Sequence, residues 1–269
     1  MPGLQPVRLA TTAGKEVSNL TPVVRRGDLW IKRDDMHTFA GQAGGKVRTC
    51  YALATQPGTI GLVTASARTS PQQLIVASIA ERLGLPCRLH VPASKQASET
   101  LVASVAKGAE IIEHRPGYNS VIVARANKDA AALGWTYIPF GMECHEAVRQ
   151  TAGQVANLPA GPARLVMPVG SGMSLAGVLT GMVAAGITWP VLGVVVGADP
   201  VRRLDAYAPW NWRELVELVP AGMDYHAAAP VTQLDDIGLD PYYEAKCLPF
   251  LRPGDLFWIV GNRVASDDQ

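Results

Sequence analysis

Two short stretches of this chain combine glycine with residues that can do chemistry. In the first, Gly44-Gly45-Lys46 is followed by helix-forming residues up to Ala54. A glycine pair lets the backbone approach a ligand closely. In the first turn of a helix, the Lys46 amine would lie among backbone N–H groups that disfavour its cationic form. This pattern predicts a nucleophilic lysine that attacks a carbonyl group. The alternative interpretation is a solvated lysine beside a glycine turn.

The second stretch is Gly170-Ser171-Gly172-Met173-Ser174, which lies where a predicted strand, Arg164–Val169, meets a predicted helix. Successive N–H groups in such a turn form a concave anion site, and the helix dipole adds positive charge. The Ser171 and Ser174 hydroxyls add donors, so the stretch predicts a phosphate site. It matches neither the Walker A pattern nor the dinucleotide fingerprint. A simple packing joint remains the alternative.

A regular alternation of strands and helices must position these residues. Pro71–Leu83, for example, has apolar residues at helical spacing and ends at Gly84. The alternation, with connections of a few residues, predicts parallel sheets covered on both faces. The predicted strands of the first half are Leu29–Arg33, Thr59–Thr64, Cys87–Val91, Ala109–Glu113 and Thr136–Ile138, and the helices are Pro71–Leu83, Ser98–Lys107 and Asn119–Leu133.

The second half continues the alternation and then loses it. It predicts a long helix over Glu143–Asn157, a strand over Val191–Val196 and a last strand over Asp255–Val260. After Asp199 the pattern is irregular, with several prolines and tryptophans. The tail Ser266–Gln269 is expected to be disordered.

Composition narrows the class of protein. The chain has 269 residues, 48% hydrophobic and 17% charged, with a formal net charge of +1, which is typical of a globular protein. No long charge run points to non-specific nucleic-acid or membrane binding. The four cysteines and five histidines lack metal-site spacing, and no apolar run reaches the roughly 18 residues of a membrane span. We expect a cytoplasmic protein without a metal site.

Three stretches in the same order resemble one known group of enzymes. Ile31–Asp35 with Gly44–Arg48 is similar to its Lys-Arg-Asp/Glu-Asp and Gly-Gly-Asn-Lys-x-Arg signature, here without the asparagine. Gly170–Gly177 is similar to its Gly-Ser-Gly-Gly-Thr-x-Ala-Gly loop, and Leu239–Lys246 to its Leu-Asp-Pro-Val-Tyr-x-Gly-Lys segment. The chain thus resembles the fold-type II pyridoxal phosphate (PLP) enzymes of the tryptophan-synthase-β-like superfamily. It is nearest the 1-aminocyclopropane-1-carboxylate deaminase and D-cysteine desulfhydrase group.

The resemblance implies a fold, a cofactor and roles for residues. The fold would be α/β, with two parallel-sheet three-layer domains: a large PLP-binding domain of residues 1–54 and 150–269, and a small α/β domain of residues 55–149. Lys46 would form a Schiff base with PLP and move protons at the substrate Cα. Gly170, Ser171, Gly172, Met173 and Ser174 would bind the cofactor phosphate. A homodimer is expected.

Departures from the family pattern leave the substrate site open. Where the family has Ser-Asn-His/Gln, this chain has Ser70-Pro71-Gln72, and proline offers no side-chain hydrogen bond or backbone N–H. The substrate-binding candidates are Arg68, Thr69, Ser70, Gln72 and Tyr243.

Other candidates have a competing structural explanation. Pro71 is also a good first residue for a helix, and Tyr243 could equally be a core residue. The family segment that meets the pyridine ring is not recognisable. Asp235 or Asp236 could replace it, although a solvated loop is the simpler interpretation, and Val260-Gly261-Asn262 could approach the ring nitrogen.

Three functions remain open. The first is a PLP-dependent lyase or deaminase that breaks a bond at Cα of an amino acid or amine. The second is a PLP-dependent decarboxylase or lyase acting on an amino acid attached to a DNA base, as in phage thymidine hypermodification, which the altered substrate loop would suit. The third is a non-catalytic PLP-binding protein.

Overall fold

The computed structural model describes Leu9–Ala10, Glu16–Val17 and residues 20–261. The chain forms two compact units. The first unit takes the described residues of Met1–His37, Ala43–Gly45 and Ala147–Gln269, and the second takes Thr38–Gln42 and Lys46–Glu146. The helix that begins at Gly45 therefore falls almost wholly in the second unit, whereas we assigned it to the large domain. The predicted domain boundaries stay a prediction.

The elements alternate along the chain. The strands are β1 (Leu9–Ala10), β2 (Glu16–Val17), β3 (Val23–Arg26), β4 (Leu29–Arg33), β5 (Thr38–Phe39), β6 (Gln42–Ala43), β7 (Leu62–Ala65), β8 (Cys87–Pro92), β9 (Glu110–His114), β10 (Thr136–Ile138), β11 (Arg164–Val169), β12 (Val191–Val195), β13 (Val216–Pro220), β14 (Gln233–Leu234), β15 (Ile237–Gly238) and β16 (Asp255–Ile259). The α-helices are α1 (Gly45–Ala54), α2 (Pro71–Leu83), α3 (Glu99–Ala106), α4 (Asn119–Leu133), α5 (His145–Gly153), α6 (Met173–Ala185), α7 (Val201–Tyr207) and α8 (Trp212–Leu215). Short 3-10 helices occupy Asp34–Met36, Phe140–Met142, Gln154–Asn157 and Glu244–Phe250.

The second unit is built on a parallel sheet with strand order β10-β7-β8-β9. Side chains alternate between the two faces of a strand. On one face Thr64 of β7 contacts α2, and on the other Val63 packs against Ile122 and Ala126 of α4. Helices thus cover both faces, and the unit has three layers.

The first unit is built on a sheet with strand order β13-β12-β11-β16-β4-β3, in which neighbours run parallel except for the β3–β4 pair. One face packs against Ala245 and Cys247 of the last 3-10 helix. The other face carries Gly193, where an added Cβ would lie 3.5 Å from Leu175 of α6. Helices therefore cover both faces here as well.

These parallel sheets confirm the predicted α/β fold class. Several elements end where we predicted, such as α2, whose start is capped by Ser70 and whose end is closed by Gly84 in the left-handed region. The long helix predicted over Glu143–Asn157 is wrong, because α5 begins at His145 and gives way to a 3-10 turn after Gly153. The segment after Asp199 is more regular than predicted, since it contains α7, α8 and β13. Within the described residues, no helix is long and apolar enough to cross a membrane.

Candidate functional site

The parallel strands of the first unit end at one edge of their sheet. β4, β16, β11 and β12 are parallel neighbours, so their carboxyl ends meet there. The chain leaves this edge through Val260–Gly261 after β16, Gly170–Ser174 after β11 and Gly197 after β12. Ligands of open α/β sheets bind beyond the carboxyl ends of the strands. We call this the carboxyl edge and build the candidate site on it.

The glycine loop, Gly170–Ser174, joins β11 to the N-terminus of α6. Gly172 is the residue that precedes the helix, with a φ of 92°, and it has no side chain to cap the first turn. The first N–H groups of a helix have no partner within the helix. The start of α6 therefore offers N–H donors and a positive dipole end to an anion, and the phosphate site at this loop stays a prediction. Ser171 and Ser174 are half-buried at this turn.

The glycines of this loop have a steric cause. A Cβ at Gly170 would lie 2.5 Å from the Tyr243 Oη, and one at Gly197 would lie 2.9 Å from the Gly170 Cα. A Cβ at Gly172 would lie 3.0 Å from the Pro200 Cβ. The loop therefore lies directly against Tyr243 and the end of β12, with no room for a side chain at Gly170 or Gly197. Tyr243 contacts the loop itself, so its predicted contact with the substrate stays a prediction.

The residues before Lys46 are also held at the carboxyl edge. The Gly45 N–H donates to the Val260 carbonyl over 3.5 Å, just beyond the end of β16. Gly44 has a φ of 98°, and a Cβ there would lie 3.4 Å from the Gly261 Cα. Lys46 is the next residue in the chain, in the first turn of α1, and its side chain is exposed. Asn262, which we considered as a ring contact, lies outside the described residues.

A carboxyl group that the sequence analysis missed lies at the same edge. The Glu244 side chain is fully buried, and its Oε1 accepts a hydrogen bond from the Gly261 N–H over 3.1 Å. Its Oε2 is also buried and has no hydrogen-bond partner within the described residues. Burial raises the pKa of Glu244 to about 8, although the Gly261 N–H opposes the shift. A buried carboxyl with an unused oxygen is a strong candidate for a functional group.

The carboxylates considered for this role lie elsewhere. Asp236 is exposed and forms an ion pair with Arg26, with 2.6 Å between Oδ1 and Nε. Asp235 is exposed as well. Both residues belong to the surface turn that joins β14 to β15, in agreement with the solvated-loop interpretation. The signal that could have revealed Glu244 was its place within the Leu239–Lys246 segment.

In the second unit, three candidate residues form the turn before α2. Ser70 is the N-cap, and its hydroxyl accepts a hydrogen bond from the Gln72 N–H. Thr69 is exposed. Arg68 donates from Nη1 to the Glu113 carboxylate over 2.5 Å and to the Pro92 carbonyl over 3.3 Å. Arg68 is therefore engaged within its own unit, whereas Thr69 and Ser70 are accessible at a helix N-terminus.

Gln72 has a structural role in the second unit. Its amide nitrogen donates to the Thr64 hydroxyl over 2.8 Å and to the Pro139 carbonyl over 2.9 Å. Its amide oxygen accepts from the Gly141 N–H over 2.8 Å. The side chain is buried and fully used. These contacts tie α2 to β7 and to the turn after β10, and a role in substrate binding is left as a prediction.

Two histidines of the second unit form a partly buried network. His90 and His114 are 2.8 Å apart, between Nδ1 and Nε2, and the His90 Nε2 lies 3.0 Å from the Asp129 Oδ2. The contacts join β8, β9 and α4, which agrees with a structural interpretation of these histidines. Among the described residues, no group of three or more His, Cys, Asp or Glu could hold a metal ion.

The chain matches one family of enzymes over most of its length. The profile of the family described as "Pyridoxal-phosphate dependent enzyme" covers residues 15–233, which is well over half of the chain.

The chain belongs to this family.

Pyridoxal phosphate is the cofactor of this family. Comparison with curated protein sequences gives no significant match.

Solved structures of PLP enzymes share the fold. An ACC deaminase homologue has a TM-score of 0.71 at 22% identity, covering 87% of this chain and 84% of that chain. A threonine deaminase isoform from Solanum lycopersicum has a TM-score of 0.64 at 15% identity, covering 88% and 80%. A serine racemase from Dictyostelium discoideum has a TM-score of 0.65 at 13% identity, covering 93% and 93%. At these identities the likeness shows the fold, which matches the fold-type II PLP enzymes.

Proposed function

We propose that this chain is a PLP-dependent lyase that breaks a bond at Cα of an amino acid or amine, with Lys46 as the amine that holds the cofactor. One observation carries the proposal. The residue before Lys46 is hydrogen bonded at the end of β16, and the neighbouring strand β11 ends in the glycine loop. An amine and an anion site thus start from adjacent strand ends, as a cofactor with an aldehyde and a phosphate requires.

The glycine loop would bind the cofactor phosphate. The uncapped N–H groups at the start of α6 would donate to its oxygens, and the hydroxyls of Ser171 and Ser174 would add further donors. Tyr243 would support this loop by packing, since its hydroxyl lies against Gly170. The close packing at Gly170 brings the backbone itself to the anion site, which favours a compact, strongly charged group such as a phosphate monoester.

Glu244 would face the pyridine nitrogen as a carboxylate. Its unused Oε2 has the capacity for one more hydrogen bond, and a ring N–H would satisfy it. The bound cofactor supplies an electron sink for the bond that breaks at Cα. The amine of Lys46 would move the proton at Cα, and Thr69 and Ser70 would donate to the substrate carboxylate. The Arg68 Nη1 is engaged by Glu113 and Pro92, so Arg68 would serve the same carboxylate through its other guanidinium nitrogens.

An absorbance scan with added PLP tests the proposal. We expect the wild-type protein to show a visible band that Lys46→Ala lacks. Lys95→Ala is the control, because Lys95 is another exposed lysine of the same unit and should keep the band. A band that persists in Lys46→Ala, or that is absent from the wild type, would refute the role of Lys46.

Amine additions then test the reaction type. A lyase or deaminase should shift the band with a free amino acid and release a keto acid with ammonia. Release of carbon dioxide from an aminoacylated nucleotide or DNA would favour the decarboxylase acting on a modified base. Inversion at Cα without a released group would indicate a racemase. A band that no amine shifts would favour a non-catalytic PLP-binding protein.

A further inference from the structure

Lys246 is a buried lysine that the proposed chemistry does not use. It lies in the 3-10 helix Glu244–Phe250, and its side chain is 1% exposed. Its Nζ donates to the Asp224 carbonyl over 2.7 Å and to the Tyr225 carbonyl over 3.2 Å. Burying an amine is costly unless hydrogen bonds compensate. The two hydrogen bonds therefore compensate for the burial of Lys246, and they join its 3-10 helix to the loop that contains Asp224 and Tyr225.

The carbonyls belong to the loop 222–232, which follows β13 at the carboxyl edge. The loop begins where the Ala221 N–H donates to the Val195 carbonyl, at the end of β12. Its second half is tied back by the Ala229 N–H, which donates to the Pro241 carbonyl over 2.8 Å. Its first half is exposed at Met223 and Tyr225 and is folded into a turn by the Asp224 side chain, which accepts from the His226 N–H. Lys246 fixes this first half.

Lys246 also anchors the chain on the C-terminal side of the pair Tyr243–Glu244. On the N-terminal side of the pair, the buried Asp240 accepts two hydrogen bonds. Its carboxylate accepts one from the Tyr242 N–H over 2.8 Å, and its carbonyl accepts one from the Ala245 N–H over 3.0 Å. On the C-terminal side, Lys246 joins the 3-10 helix to the loop. Residues whose chain is held on both sides keep a defined geometry.

We infer that Lys246 is a positioning residue for the cofactor site: it couples the loop 222–226 to the 3-10 helix and so holds Glu244 against Gly261. The inference rests on the proposed function, in which Glu244 faces the cofactor ring. It also gives a physical reason for the spacing of the segment Leu239–Lys246. Asp240 and Lys246 anchor the two ends of the segment, and Tyr243 and Glu244 lie between them.

A matched pair of lysine variants tests the inference. Lys32 is equally buried in the same unit, and its Nζ donates to the Thr21 carbonyl and the Asn157 amide oxygen. Lys32→Met and Lys246→Met each remove an amine and keep the aliphatic chain, so both should lower Tm. Lys246→Met alone should raise the PLP Kd about tenfold or more and speed hydrogen exchange at Gly261, whose N–H holds Glu244. Equal PLP affinity and equal Gly261 exchange in the two variants would overturn the inference.

A milder variant guards against loss of folding. Asp224→Ala removes only the exposed side chain that shapes the turn held by Lys246. We expect Gly261 exchange to rise and PLP affinity to fall by about two- to threefold, which corresponds to a weak coupling. Wild-type values in both measurements would contradict the inference. If the wild type itself binds no PLP, the proposed function fails first, and the exchange data still report on the anchoring by Lys246.

Discussion

Two regions of this molecule bury ionisable side chains, and they treat them differently. At the carboxyl edge of the first unit, the Glu244 Oε2 is buried without a hydrogen-bond partner among the described residues. Between β8, β9 and α4 of the second unit, the ring nitrogens of His90 and His114 all have partners. An unpaired buried polar group is costly, and a paired one stabilises the fold. The difference separates a region poised for a ligand from one that is complete by itself.

The donors and acceptors in the network of His90 and His114 can be assigned. Arg125 is cationic, so its Nη1 donates to the His114 Nδ1 over 3.2 Å. The His114 Nε2 must then donate to the His90 Nδ1, and the His90 Nε2 donates to Asp129. The His114 imidazole is neutral in this arrangement. A further proton on the His114 Nδ1 would face the cationic Arg125, so this contact opposes protonation of His114.

Substituting a glycine at the carboxyl edge should have a large effect. In Gly170→Ala the added methyl group would meet Tyr243, and overpacking of this kind costs about 1–3 kcal/mol. We expect PLP affinity, measured by titration, to fall by about ten- to a hundredfold. The control is Gly153→Ala, because Gly153 has helical backbone angles and open space for a Cβ. Similar PLP affinity in both variants would mean that the loop does not hold the phosphate.

Replacing Glu244 with glutamine should change the stability of the protein and its affinity for PLP in opposite directions. Because burial raises the pKa of Glu244 to about 8, from 4.5, the protonated carboxyl is favoured in the native state. Its stabilising contribution is present below about pH 4.5 and is lost as the pH rises towards 8. Without PLP, Glu244→Gln should therefore match the wild type near pH 5 and be the more stable protein near pH 8, as urea unfolding would show.

In PLP binding, by contrast, the same variant should be weaker than the wild type. Glu244→Gln loses a charged partner for the ring, worth about 1.5–3 kcal/mol, and should bind PLP about tenfold or more weakly. A variant that gains no stability at pH 8, or that binds PLP like the wild type, would remove the contrast between the two regions.

The histidine network should show the opposite dependence on pH. Burial lowers the pKa of His114, and the neighbouring His90 and Arg125 lower it further, while Asp129 raises it. The stability from neutral His114 is present above about pH 6.5 and is lost as the pH falls below that value. NMR titration should show a His114 pKa below 6.5, with the proton on Nε2. Arg125→Met should raise that pKa, and an unchanged value would contradict the network.

The smallest effect is expected at the surface. The ion pair between Arg26 and Asp236 is exposed, although the Arg26 hydrogen bond lowers the pKa of Asp236 to about 2. Exposed pairs contribute little to stability because solvent screens them. Asp236→Asn should leave Tm and PLP affinity unchanged within error. A clear loss of PLP binding would give this turn the role that we assign to Glu244.

Much of the fold could be predicted because its signals are local. The helix over Asn119–Leu133 ends at Gly134 in the left-handed region, and this glycine was visible in the sequence. β13 was missed because the edge strand Val216–Pro220 is short and its burial does not alternate regularly, so it lacks the periodic signal of a half-buried strand. α5 is shorter than predicted because helical periodicity does not distinguish a 3-10 turn from an α-helix.

The candidate site could be predicted only in part. The glycine loop and Lys46 were recognisable from residue type and spacing. Glu244 was not, because its importance comes from burial and from a hydrogen bond to Gly261, which is 17 residues further along the chain. Gln72 was interpreted from its position in the sequence, but its amide groups are used by Thr64, Pro139 and Gly141. Contacts of this kind depend on tertiary structure, which a local pattern does not contain.

The central claim is that Lys46 holds the cofactor. Borohydride reduction of the PLP-loaded protein, followed by peptide mass mapping, tests it most directly because reduction fixes the cofactor on the lysine to which it is bound. We predict a single pyridoxyl group on the peptide that contains Lys46. A label on another lysine, such as the buried Lys32 or Lys246, or no label at all, would contradict the account.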